Sequence, residues 1–163
     1  MANKPKGGSA AAKSNPAAAT GRLDARGRRT AEEMFGPGGA DRMEATYVRR
    51  EQEVDKSWAD LSGGYVTNGM YSRNVLPTSV RELCAVAALT ALGHQAELRA
   101  HIGIALNSNP PRQVREVILQ MSVYGGFPVA FEGLRIYDEV MARRKDKVGK
   151  AGKGKKAKGG KDR

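Results

Sequence analysis

Cysteine is almost missing from this 163-residue chain, with Cys84 standing alone. A single thiol excludes an internal disulfide, a Cys-x-x-Cys redox pair and a thiolate zinc cage. Aromatic residues are scarce as well, at 6% with one tryptophan, and the terminal segments have none to stack on a base. Long hydrophobic runs are lacking. None approaches the roughly 18 residues that span a bilayer, and the N-terminus has no apolar core of a secretory signal. The expectation is a soluble, cytoplasmic protein with no membrane partner. Sustained alternation of apolar and polar residues with β-branched enrichment is also missing, which removes the main signal for strands. The fold class expected is all-α.

Acidic residues are in the minority, 17 against 28 Lys and Arg, for a formal charge of +11. The excess sits at the ends: residues 1–29 carry +6 and residues 142–163 carry +9, while residues 30–141 carry −4. Both ends are rich in Ala, Gly, Ser, Pro and Lys, and cannot bury enough apolar area to offset the entropy of ordering. The organisation expected is therefore a disordered basic tail over 1–29, a helical domain over 30–141 and a disordered Lys/Gly-rich tail over 142–163. A run such as Lys153-Gly154-Lys155-Lys156 can attract nucleic acid weakly and without sequence preference through counterion release. It reads equally as a solubilising tail.

Within 30–141 the apolar residues recur at helical spacing. Met43, Tyr47, Val54, Trp58 and Leu61 suggest one amphipathic helix from Asp41 to Leu61, ended by Gly63-Gly64. Residues 65–76 read as a connection. Ser79-x-x-Glu82 has the form of a capping box opening a helix to Leu92, with Gly93 as its stop. A helix over 96–107 is apolar on nearly every side. Asn109 caps the next, with Pro110 and Pro111 at its mouth and Val114, Val117, Ile118 and Met121 as its stripe. Gly125-Gly126 stops that helix, and Pro128 starts the last, striped by Ala130, Leu134, Tyr137 and Met141. About six helices in 112 residues cannot all hide their apolar faces in a small monomer, so an oligomer is expected.

Three polar side chains interrupt these apolar helices. His101 lies on the same broad face as Leu98, Ile102 and Ala105, where it reads either as a hydrogen-bonded core histidine or as an acid–base catalyst. Glu97, one turn earlier on that face, is spaced to pair with it. Glu82 is either the third partner or a helix cap. His94, Glu97 and His101 fall at i, i+3 and i+7, yet Gly93 places His94 in a turn, so no metal is expected. Cys84 reads as a small core side chain. Arg73, Arg81 and Arg99 are candidates to grip a carboxylate, or simply surface charge. Tyr124-Gly125-Gly126-Phe127-Pro128 sets two glycines before a helix N-terminus, where free N–H groups can receive an anion.

Taken together, Tyr71-Ser72-Arg73, Arg81-x-Leu83 leading to Ala87-Ala88-Leu89, Glu97-Leu98-Arg99-x-His101 with Ala105-Leu106-Asn107, and Val123-Tyr124-Gly125-Gly126-Phe127-Pro128 resemble the carboxymuconolactone decarboxylase family, from about Arg29 to Val140. The resemblance implies an alkyl hydroperoxidase D-like helical fold that assembles as a homotrimer or homohexamer. It also implies a cofactor-free decarboxylase acting on a small lactone carboxylate; the alternatives are a related lactone or β-keto acid decarboxylase or isomerase, or a non-catalytic oligomeric scaffold that binds nucleic acid through its basic tails. Catalysis would fall to His101, Glu97 and Glu82, and substrate binding to Arg73, Arg81, Tyr124, Gly126 and Phe127. The thiol-peroxidase-like branch of the fold has Cys-x-x-Cys where this chain has His94 and Glu97. Its proton-relay glutamate corresponds to Glu82. Many decarboxylase members have Trp-Gly where this chain reads Thr67-Asn68, so the pocket lining is expected to differ.

Overall fold

The computed structural model describes residues 23–158, with side chains through residue 147. The disorder expected of residues 1–22 and 159–163 lies outside the described residues. Among the described residues there are seven α-helices, one π-helical segment and no strand. The helices are α1 (Ala25–Phe35), α2 (Gly39–Glu53), α3 (Lys56–Ser62), α4 (Thr78–Leu92), α5 (Gln95–Ser108), α6 (Pro111–Gly125) and α7 (Phe127–Lys158), with the π-helical segment Gly63–Tyr71 after α3. None is long and apolar enough to cross a membrane among the described residues.

Helices α4 to α7 enclose the main core. Val86 of α4, Leu98 and Ile102 of α5, Val114 and Ile118 of α6 and Ile136 of α7 are buried together, as the helical stripes lead one to expect. Gly93 stops α4 with φ 72°, a left-handed conformation that costs an L side chain about 1–2 kcal/mol. The Gly93 N–H donates to the Thr90 carbonyl and the His94 N–H to the Leu89 carbonyl, closing the last turn. Tyr137 of α7 donates to the Pro111 carbonyl at the start of α6, tying the two helices.

The N-terminal half departs from the sequence expectation in several places. The predicted helix from Asp41 to Leu61 is two helices. Asp55 breaks it by capping α3, its side chain accepting from the Trp58 N–H at 2.7 Å. Its predicted stripe is buried only at Tyr47, while Val54, Trp58 and Leu61 stay exposed. Gly63-Gly64 does not end the helical path, because a π-helical turn carries it to Tyr71. Asn109 does not cap α6. It is buried at the end of α5 and its side-chain amide donates to the Ala105 and Ser79 carbonyls, fastening α5 to α4.

Both expected domain edges fall inside helices. Helix α1 begins at Ala25, five residues before Thr30, with Asp24 as its cap accepting from Gly27 N–H. Its buried residues, Gly27, Thr30, Ala31 and Met34, are mostly small, so no strong apolar signal marks them. A second small core joins Leu23 and Ala31 to Ala40 and Tyr47 of α2. At the other end α7 continues past Met141, and Arg144 donates to the Gly103 carbonyl and the Asn107 side chain of α5.

Candidate functional site

Glu82 has the most unusual position in the molecule: a carboxylate with no exposed surface, set among apolar residues. Such a group is costly unless it is paired. Its partner is His101, whose Nδ1 lies 2.9 Å from Glu82 Oε2 across the α4–α5 contact. With Glu82 as the ionised acceptor, Nδ1 carries the proton in this contact and Nε2 is the atom left for other work. The His101 side chain keeps 27% of its surface exposed, enough for a small molecule to reach it. Glu82 Oε1 is buried without a hydrogen-bond partner.

Glu82 therefore caps no helix. Pro77 precedes α4, no side chain caps its N-terminus, and the carboxylate points into the core. Glu97, expected to pair with His101, is exposed near the start of α5, and no hydrogen bond joins the two. The His101 ring turns toward α4, where Glu82 offers an oxygen that the core shields from water. The supporting carboxylate is thus nineteen residues away in sequence rather than four.

Tyr71 ends the π-helical segment beside this pair. Burial first, and then the negative charge of Glu82, push its phenol well above the ordinary tyrosine range. The segment is held by polar groups that are themselves buried. Tyr47 shares a 2.5 Å hydrogen bond with Thr67, Ser72 donates to the Thr67 carbonyl at 2.7 Å, and Asn68 accepts from the Asp24 N–H at 3.2 Å. Thr67-Asn68 thereby anchors α1, and Gly27 leaves room for it: a Cβ there would sit 2.0 Å from Asn68 Oδ1.

Arg81 is not free to hold a ligand with its full guanidinium, since Nε donates to the Leu76 carbonyl and Nη2 to the Arg73 carbonyl. It braces the loop after the π-helical segment. Arg73 on that loop is exposed and lines a cleft of about 440 Å³ against α1. Arg99 is engaged by Glu139 at 3.0 Å. Tyr124, Gly126 and Phe127 lie at the α6–α7 junction, where Gly125 packs on the Ala91 backbone. Ala91 is nine residues along α4 from Glu82, roughly 13 Å at the helical rise. Within one chain these three residues do not join the Glu82–His101 pair. Tyr124 and Phe127 are instead exposed, the latter against Phe131 with ring centres 6.2 Å apart.

Cys84 is exposed rather than a core side chain, because α4 turns that face away from α5 and α6. His94 is an exposed residue preceding α5. No group of three or more His, Cys, Asp or Glu side chains suited to a metal gathers among the described residues. Sequence reasoning missed Arg26 and Arg29, which share the cleft with Arg73. Their spacing with Thr30 and Glu33, at i, i+3, i+4 and i+7, was the available signal for one helical face.

An all-helical fold carrying a carboxylate-backed, partly exposed histidine describes a class of protein equipped to move a proton. Comparison with known proteins narrows it: residues 53–139 match the model of the carboxymuconolactone decarboxylase family. A 4-carboxymuconolactone decarboxylase of Acinetobacter baylyi (strain ATCC 33305 / BD413 / ADP1) is similar at 35% identity over 106 residues, 58% of this chain and 79% of the relative. The chain belongs to the carboxymuconolactone decarboxylase family. The matched segment runs from the end of α2 into α7 and leaves α1 outside.

Proposed function

We propose that the protein is a cofactor-free decarboxylase of a small lactone carboxylate, converting 4-carboxymuconolactone or a close analogue to the enol-lactone and CO2. The observation that carries this reading is the Glu82–His101 pair in a chain of this family. In such a substrate the bond from the ring to the departing carboxylate breaks, and its electron pair delocalises onto the lactone carbonyl as a dienolate. The substrate supplies its own electron sink. In its imidazolium form His101 hydrogen-bonds the dienolate oxygen through Nε2–H and delivers that proton to a ring carbon, leaving a neutral imidazole that Glu82 holds by Nδ1–H. Tyr71 remains a neutral donor beside them. Glu82 takes the supporting role that spacing alone gave to Glu97.

Self-assembly into a homotrimer or homohexamer belongs to the same proposal. Val80, Cys84, Ala88 and Leu92 form an exposed apolar stripe along α4, and Tyr124, Phe127 and Phe131 are exposed at the α6–α7 end. A second copy covering these faces would bring Tyr124, Gly126 and Phe127 of one chain toward another.

Ultraviolet-monitored turnover of 4-carboxymuconolactone by the purified protein tests the reading, beside His101→Gln with the assembly checked by light scattering. Turnover by the parent, reduced about a hundredfold or more in the variant, is expected from loss of one transition-state donor worth on the order of 3 kcal/mol. Full turnover by an intact His101→Gln assembly would refute the role of His101. No turnover by the parent would refute this substrate.

A further inference from the structure

The cleft beside Tyr71 is lined by arginines that come largely from outside the family-matched segment. Arg26, Arg29, Thr30 and Glu33 present one face of α1 to it, and Arg73 faces them from the loop. Three guanidinium groups meet one carboxylate, and that carboxylate is occupied: Glu33 Oε2 accepts from the Thr78 hydroxyl at 2.8 Å. Arg29 and Arg73 have no ion-pair partner among the described residues. Arg26 has only a 3.5 Å contact with Asp24, two residues back in its own chain. Two guanidinia without an ion pair line one concavity whose net charge is near +2, an arrangement suited to an anion.

The walls are fixed before any ligand arrives. Thr30 and Ser72 share a hydrogen bond at 3.1 Å and Thr78 bonds Glu33, docking α1 on both ends of the loop. Arg81 holds the Arg73 and Leu76 carbonyls from beneath. A cleft whose backbone is already fixed loses less entropy on binding than a flexible one. Tyr71 lines the cleft and stands beside Glu82, so one side chain separates this anion site from the Glu82–His101 pair.

We propose that Arg29 and Arg73, with Arg26 at the rim, bind the carboxylates of a small dicarboxylate, and that α1 sets substrate preference. The inference rests on the proposed decarboxylase function for the reaction that follows binding, though not for binding itself. A cleft of about 440 Å³ suits a ligand of this size. Two guanidinia, each able to bind a carboxylate bidentately, favour two planar carboxylates over one.

Calorimetric titration with glutarate, butyrate and inorganic phosphate tests this on the full chain, its His101→Gln variant, Arg29→Gln, Arg73→Gln, and Arg112→Gln as a control on α6. Saturable glutarate binding is expected, at least tenfold tighter than butyrate or phosphate. Arg29→Gln and Arg73→Gln should each weaken it about tenfold. His101→Gln and Arg112→Gln should leave it unchanged, which separates failure of the cleft from failure of the catalytic reading. With a turned-over lactone substrate, Arg29→Gln should raise KM with kcat largely kept. Glutarate binding no tighter than butyrate, phosphate binding as tightly as glutarate, or an unchanged Arg29→Gln in a folded chain would each overturn the proposal.

Discussion

Removing the imidazole of His101 takes away the hydrogen bond to Glu82 Oε2 and leaves a fully buried carboxylate without its cationic or N–H partner. A buried carboxylate stripped of its partner costs about 3 kcal/mol or more, whereas replacing both members by apolar residues is often neutral. His101→Leu should therefore unfold at distinctly lower urea concentration than the parent, and Glu82→Leu/His101→Leu should recover most of the loss while remaining inactive. Equal stability of the single and double variants would mean that Glu82 finds other partners. Tyr71 offers a second test at this scale. Its folded-state pKa is raised by burial and by Glu82, while in the unfolded chain it titrates near 10. Below about pH 10 both states hold the proton and the contribution to stability is complete. Above it the unfolded chain releases the proton first, so stability falls as pH rises toward the folded-state pKa. Denaturation midpoints between pH 9 and 11 should fall less steeply in Tyr71→Phe.

Helix α1 stands on a close approach rather than on large apolar side chains. Adding one methyl at Gly27 drives a Cβ to 2.0 Å from the Asn68 amide oxygen, which is itself buried and bonded to Asp24. Gly27→Ala should destabilise the protein by about 1–3 kcal/mol through this overpacking. If α1 is the element that builds the arginine cleft, the same variant should also weaken glutarate binding without changing Arg29 or Arg73. Urea denaturation and calorimetry on one preparation measure both effects. The element scale also explains where sequence patterning ran short. Helices α5, α6 and α7 carry large apolar residues at regular spacing and were legible. Helix α1 buries mostly small residues, Gly27, Thr30 and Ala31 beside Met34, and the break at Asp55 is a local side-chain cap inside an otherwise continuous period.

For the whole molecule, the exposed apolar stripe of α4 is the feature most at odds with a free monomer. Leu92 keeps 67% of its surface exposed and Phe131 66%. Faces of this kind mark association surfaces. Ala88→Glu, which places a charge in the middle of the stripe without touching the core, should convert the proposed assembly to monomers. Light scattering reads the mass directly, and an unchanged assembly would move the contact to another face. Turnover measured on the same sample shows whether the Glu82–His101 pair works within one chain or needs its neighbour.

The sequence alone determined the class of this protein, because helix type, apolar stripes and stops such as Gly93 are local properties set by a few residues and by the 3.6-residue period. It also singled out His101 and Glu82, since a polar group on an apolar helix is visible without knowing its partner. Tertiary structure decided which carboxylate meets the histidine. Glu97 is nearer in sequence, but the crossing of α4 and α5 brings the buried Glu82 to Nδ1 and leaves Glu97 in solvent. It likewise decided that α1 is part of the fold and faces Arg73 across a cleft, since that placement depends on Gly27 fitting Asn68 and Thr30 meeting Ser72. Contacts between residues more than forty positions apart follow from how elements pack, and no local period encodes them.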